Sequence, residues 1–385
     1  MSETKYLDAL LRRFVENGPA GCGVAIAQHG KTIYEGYFGM ADKENGRPVD
    51  ADTTYRLYSM TKVITVTAGL ILFERGAFLL NEPFYEYFPE YRDSKVVVPT
   101  SQNHYELRKA NNPIRIRDAF GMTCGLPYGG GNSPTGIAVR EYNEKLRAKG
   151  KYDIIDFVEG LAEVPLAFEP GTRWVYGHGH ELVAALIQRV SGKTVGQFMQ
   201  DEIFGPLGME HTGYRWKGKD RENMAVMYRR GADGSMTPDF TRDANFAPDA
   251  TFEGGGAGLY STVRDYLRFT QMLANGGELD GVRIIGKNTI DLMRANRLNE
   301  TQLKDFTFSY VEGYGYGLGV RVMMDQAAGN SNSTPGEFGW TGVGGTWTSI
   351  DPAHGFSAVY MHQMDPNMEE YHHLRVRAAA YGLLK

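Results

Sequence analysis

The run Leu57-Tyr58-Ser59-Met60-Thr61-Lys62-Val63-Ile64-Thr65-Val66-Thr67-Ala68-Gly69-Leu70-Ile71-Leu72-Phe73 constrains this chain most. As a helix it is apolar on nearly every side, so it must be enclosed by other elements rather than laid on a surface. Its one charge is Lys62. Burying an ammonium costs several kcal/mol unless it is paired or gives up its proton. Lys62 also falls in the first turn, where the helix dipole opposes a cation. Both effects push its pKa down, toward a usable proton acceptor. Ser59 stands three residues earlier, on the same face at about 5–6 Å between Cβ atoms. Two readings of S-x-x-K are open: a Ser cap with a snorkelling Lys, or a nucleophile with its base. A second match, Ser2-Glu3-Thr4-Lys5, reads as a frayed terminus.

Composition narrows the function. Over 385 residues, 41 Lys and Arg stand against 46 Asp and Glu, a net charge of −5 that lacks the basic excess of a nucleic-acid binder. The two cysteines, Cys22 and Cys124, are too few for a disulfide framework or a thiolate zinc site and read as buried, inert thiols. The N-terminus carries charges where a signal peptide needs an apolar run. It reads instead as an amphipathic helix presenting Leu7, Leu10, Leu11 and Phe14. No apolar stretch approaches the roughly 20 residues of a membrane span. A cytoplasmic protein without membrane or nucleic-acid partners is expected, its oligomeric state open.

The pattern along the chain is strands, then helices, then strands. Gly21 to Gly39 alternates as a hairpin about His29-Gly30. Leu182, Val183, Leu186, Ile187 and Val190 share one helical face stopped by Gly192, and Tyr266, Phe269, Met272 and Leu273 share another before Gly276-Gly277. Residues 96–112 are polar and aperiodic, a loop. Tyr314 to Met323, Gly345 to Ile350 and Phe356 to Met361 read as strands, and His372 to Leu384 as a closing helix. The fold class is therefore α+β: an antiparallel sheet formed by both chain ends and flanked by helices, with a mostly helical inserted lobe. The expected boundaries are 1–75 with 280–385 for the sheet lobe and 76–279 for the helical lobe, a cleft lying between them.

Two further segments bear on Ser59. Trp174-Val175-Tyr176-Gly177-His178 follows the rigid turn Glu169-Pro170-Gly171, so Tyr176 is a held loop phenol suited to sharing a proton with Ser59. Gly339-Trp340-Thr341-Gly342-Val343-Gly344-Gly345 opens a late strand where glycines let backbone approach a ligand. Metal and nucleotide motifs are absent. His178, His180 and Glu181 do not make H-E-x-x-H, His372-His373 read as surface, and Gly30-Lys31-Thr32 and Gly192-Lys193-Thr194 lack the upstream P-loop glycine.

In this order and at these separations, Ser59-x-x-Lys62, Tyr176-x-His178 and Trp340-Thr341-Gly342 resemble the three motifs of the penicillin-recognising serine enzymes: class C β-lactamases, DD-peptidases and their esterase relatives. Pro206-Leu207-Gly208-Met209 and Gly254-Gly255-Gly256-Ala257-Gly258-Leu259-Tyr260-Ser261, followed by Asp265, resemble connecting segments of that family. The third motif of lactamases normally begins with a cation that holds the substrate carboxylate; here it begins with Trp340. The amide expected in the second motif is His178. His211-Thr212-Gly213 lacks the glycines and strand that a third motif needs. With Trp340 and no export signal, the chain resembles most the family VIII carboxylesterases.

The resemblance implies that Ser59 attacks an ester carbonyl while Lys62 and Tyr176 take its proton. The backbone N–H groups of Ser59 and Val343 would form the oxyanion hole. Trp340, Gly342, His178 and Tyr128 would bind substrate, with His178 either orienting Tyr176 or acting as a base. The aromatic run Phe306, Phe308, Tyr310, Tyr314, Tyr316 reads either as groove or as core. No cofactor or metal is implied. The expected activity is hydrolysis of small neutral carboxylic esters through an acyl-enzyme. The alternatives are acyl transfer from the same intermediate, β-lactamase or D-peptidase action, and a non-catalytic ligand-binding or scaffold protein of the same fold.

Overall fold

A computed structural model describes residues 4–101, 104–308 and 310–384. The second S-x-x-K match begins at Ser2, outside the described residues. Both chain ends build one antiparallel sheet of nine strands. They are β1 (Gly21–Gln28), β2 (Lys31–Asp42), β3 (Arg47–Pro48), β4 (Tyr314–Tyr316), β5 (Arg321–Met323), β6 (Phe338–Gly339), β7 (Thr341–Gly342), β8 (Thr346–Asp351) and β9 (Phe356–His362). The spatial order is β4-β5-β6-β8-β9-β1-β2-β3, with β7 also pairing β8. At the centre the first and last long strands meet, Cys22 opposite His362 and Gln28 opposite Phe356.

Period-two alternation sends the two faces of the central strands to different cores. Cys22, Val24 and Ile26 face α1 (Lys5–Asn17) and α5 (Glu369–Tyr381), joining Leu7, Leu11, Phe14, Val376 and Ala380. Ala25, Ala27, Val359 and Met361 face the main core, where α4 (Val263–Ala274) lies on the sheet with Tyr266, Phe269 and Met272. Helix α4 falls in the stretch expected to form the inserted lobe but packs on the sheet. Behind it α2 (Thr61–Glu74) packs against α3 (Gly179–Ser191). Every residue of α2 from Thr61 to Leu72 is buried, as its all-round apolar surface requires. Helix α3 ends at Gly192 in the left-handed conformation that glycine adopts without steric cost.

Three local expectations are corrected. The stretch expected to be a loop holds a hairpin, Lys95–Ser101 with His104–Lys109, whose strands are mostly exposed and so lack alternation. Tyr314 to Met323 is a hairpin of two short strands, the chain reversing at 317–320. His372 and His373 are buried, because α5 lies on the sheet beside His362. Both cysteines are buried and free; burial pushes each thiol up to about 12.

Candidate active site

Ser59 sits in a single helical turn, Tyr58–Met60, immediately before α2. Tyr58 holds φ at +46°, a conformation costly for a large side chain and maintained only by surrounding contacts. Those contacts are present on both sides. The Leu57 N–H donates to Leu259 O at 2.9 Å, and strand Thr54–Arg56 pairs with Tyr260–Thr262. From the sheet, the Thr346 hydroxyl donates to Leu57 O at 2.9 Å. The Gly342 α-carbon closes on the same carbonyl; a β-carbon there would lie 2.3 Å from Leu57 O. Gly342, expected to bind substrate, brings the third-motif strand against the serine turn.

Lys62 is fully buried and Ser59 only partly so. Lys62 Nζ lies 3.2 Å from Ser59 Oγ, 3.0 Å from Tyr128 Oη and 2.7 Å from Gly256 O. These three oxygens match the three donors of an ammonium; a neutral amine in the same place turns its lone pair on the serine hydroxyl. The Tyr176 ring lies over Lys62, its centroid 4.7 Å from Nζ. The Tyr176 hydroxyl accepts the indole N–H of Trp340 at 3.0 Å. Ser59, Lys62 and Tyr176 therefore converge, but the phenol bonded to Lys62 is Tyr128. Pairing of Pro127 with Gly177, and the His178 N–H to Leu126 O bond of 2.8 Å, join the Tyr128 and Tyr176 loops. Burial, and then the Glu181 carboxylate, push the Tyr128 phenol well up, so it holds its proton.

Trp340, expected to bind substrate, is only 1% exposed. It is enclosed by Tyr176, Phe306, Phe308 and Tyr316, and Phe306, Tyr314 and Tyr316 are themselves buried. That aromatic run is chiefly core. His178 is buried against the rings of Tyr128 and Phe157 rather than bonded to Tyr176. Its Nδ1 lies 3.7 Å from Glu181 Oε2. Val343 occupies the tip of the turn closed by the 2.8 Å bond from Gly345 N–H to Gly342 O. At 57% exposed, it faces solvent beside the serine turn.

Glu181 escaped the sequence reading, where H-G-H-E was weighed only as a metal motif. It is buried in the first turn of α3, and its Oε1 accepts the Gly256 N–H at 3.1 Å. The opposite end of that residue, the Gly256 carbonyl, receives Lys62. Burial pushes the Glu181 carboxyl up, but His178, Lys62 and His180 together hold it below its ordinary value. Burial and the charge of Lys62 push His180 down to about 3, leaving it a neutral ring that donates to Phe120 O at 3.1 Å. The one signal in the sequence was a carboxylate in the first turn of the helix, directly before the apolar run from Leu182 to Ile187. Among the described residues, no group of three or more His, Cys, Asp or Glu side chains is placed to hold a metal ion.

A buried lysine bonded to an accessible serine, at the edge of an antiparallel sheet backed by helices, defines a serine β-lactamase-like architecture. The Beta-lactamase family model matches residues 7–382, and the chain belongs to that family. Protein Rv1367c of Mycobacterium tuberculosis (strain ATCC 25618 / H37Rv) is 30% identical, over 91% of this chain and 87% of its own length. Esterase EstB of Burkholderia gladioli is 29% identical, over 92% and 89%. Among solved structures, EstCE1, described as a hydrolase with promiscuous acyltransferase activity, superposes with a TM-score of 0.81. It is 23% identical and covers 98% of both chains.

Proposed function

We propose that this chain is a serine carboxylesterase that cleaves small esters through an acyl-enzyme on Ser59. The observation that carries the reading is the 3.2 Å contact between Ser59 Oγ and the buried Lys62 Nζ. From the form in which Lys62 is a neutral amine or Tyr176 a phenolate, Ser59 Oγ attacks the ester carbonyl and its proton passes to that nitrogen or oxygen; the Tyr176 ring stands over the lysine. The tetrahedral oxyanion is received by the backbone N–H groups of Ser59 and Val343, which Gly342 brings together. Collapse breaks the bond to the alcohol, which leaves with the proton. Water then repeats the sequence on the acyl-enzyme and restores Ser59. Position 340 supplies an indole N–H to Tyr176 rather than a cation to substrate, so the reacting end of the ester is neutral. No step calls for a cofactor. Kinship with an esterase of Burkholderia gladioli supports the reading.

Acyl transfer to an alcohol or amine is the second reading, supported by the likeness to EstCE1. Hydrolysis of p-nitrophenyl esters of graded chain length, with nitrocefin alongside, tests the proposal. Turnover and fluorophosphonate labelling should both vanish in Ser59→Ala. Normal ester hydrolysis by that variant refutes the assignment, and wild-type protein that neither labels nor turns over favours a non-catalytic ligand-binding or scaffold protein of the same fold. Product analysis with added acceptors separates hydrolysis from transfer.

A further inference from the structure

Beside the serine turn lies a cavity of about 410 Å³, within the size range of small-molecule sites. Tyr58, the chain neighbour of Ser59, forms one wall, and Glu181 and Ala257 reach it from the Lys62 side. Four cationic side chains and one carboxylate line this space. Two of the cations are already engaged: Arg56 pairs with Asp243 and donates to Ala225 O at 2.8 Å, and Lys151 pairs with Asp249 at 2.9 Å. The carboxylate, Glu181, faces the Gly256 N–H and His178 and is balanced by Lys62. The remaining two, Arg147 and Arg242, form no ion pair with a carboxylate among the described residues. The Arg242 guanidinium lies 5.7 Å from the ring centroid of Tyr58, the residue that precedes Ser59. Phe246 and Phe252 add apolar wall.

We infer that this cavity takes an anionic arm of the ester, a carboxylate held by the guanidiniums of Arg147 and Arg242. A planar fork of donors fits a carboxylate in two-point fashion. The Glu181 charge on the inner side works against a dianion such as phosphate. This inference rests on the esterase reading of Ser59 and refines it: the ester is neutral at its reacting end and charged at its distal one.

Two matched pairs of substrates test it: a p-nitrophenyl half-ester of glutaric acid, with the carboxylate on the acyl arm, against neutral p-nitrophenyl valerate; and acetoxybenzoate, with the carboxylate on the alcohol arm, against neutral phenyl acetate. One anionic ester is expected to exceed its neutral counterpart by about tenfold in kcat/KM at low ionic strength, the margin shrinking with salt. Which ester gains identifies the arm. In Arg147→Gln combined with Arg242→Gln the anionic-to-neutral ratio should fall toward one, and Arg242→Lys should keep part of it. A wild-type ratio of one or less for both anionic esters, or a ratio indifferent to the double substitution, overturns the inference. If no ester turns over, the esterase reading fails separately, and calorimetry with the monoanion monomethyl glutarate decides the cavity alone. Binding weakened by the double substitution upholds it, and absence of binding by wild type overturns it.

Discussion

Gly342→Ala is the sharpest test of how the site is assembled. A β-carbon at 342 would lie 2.3 Å from Leu57 O and 2.3 Å from Thr346 Oγ1. Since a comfortable contact of this kind needs about 3.3 Å, strand or turn must retreat by roughly 1 Å. Neither neighbour is the free end of a flexible chain: the carbonyl is backbone, and the hydroxyl is bonded to that carbonyl at 2.9 Å. Leu57 lies two residues before Ser59, so the retreat reaches the nucleophile and widens its distance from the Val343 N–H. A misplacement of about 1 Å costs on the order of 10²-fold in rate, and the strain costs about 1–3 kcal/mol of stability. The assay is kcat on a p-nitrophenyl ester, with circular dichroism and thermal unfolding to confirm the fold. Gly344→Ala is the comparison, because its β-carbon would meet the Tyr58 ring at 2.4 Å, a side chain rather than the backbone carbonyl that Gly342→Ala would strike. A folded Gly342→Ala enzyme with kcat within about twofold of wild type refutes the reasoning. If that variant does not fold, Thr346→Val reports on the same clamp: losing one hydroxyl bond should lower kcat several-fold.

Trp340→Phe keeps a ring but removes the donor to Tyr176; loss of about 1 kcal/mol predicts a roughly fivefold lower kcat/KM in steady-state kinetics. Glu181→Gln should lower the unfolding temperature at neutral pH, because the carboxyl is held below its ordinary value in the fold. Its contribution is present above the unfolded pKa and lost as pH falls through the lower folded one, so the two melting curves should converge in acid. His362, His372 and His373 are buried together, and burial pushes all three down, His372 from 6.5 to about 4. The unfolded chain therefore binds the extra protons, and stability should fall between about pH 6.5 and pH 4, by roughly 3 kcal/mol for His372 alone. Flat thermal stability across that window would contradict the burial.

Ser59 and Lys62 were legible because a single charge in an apolar helix has few physical explanations, and α2 was legible for the same reason. The Gly21 to Gly39 hairpin showed in its alternation and its turn. The hairpin at 95–109 did not, since strands wet on both faces show no period of two. Tyr128 was named, but its bond to Lys62 depends on two loops meeting, which local pattern does not encode. Trp340 was expected to bind substrate, whereas the structure buries it and bonds its indole N–H to Tyr176. Glu181 was hidden because its partner is a backbone N–H far along the chain. His372 and His373 looked like surface because the helix carrying them has polar residues all round, and only its seat on the sheet buries them.

The pairing of β1 with β9 also has a bearing on synthesis. Cys22 waits for His362, so the first hairpin leaves the ribosome long before its central neighbour exists. Until then one edge of β1 exposes unpaired N–H and C=O groups beside a row of apolar side chains, a template for joining another nascent chain. Production of this protein is therefore expected to depend on translation speed and chaperone supply more than on the stability of the finished fold. Because α1 and α5 lie together on the same face, a short link between the termini with new ends opened elsewhere would let the two halves of the sheet emerge consecutively.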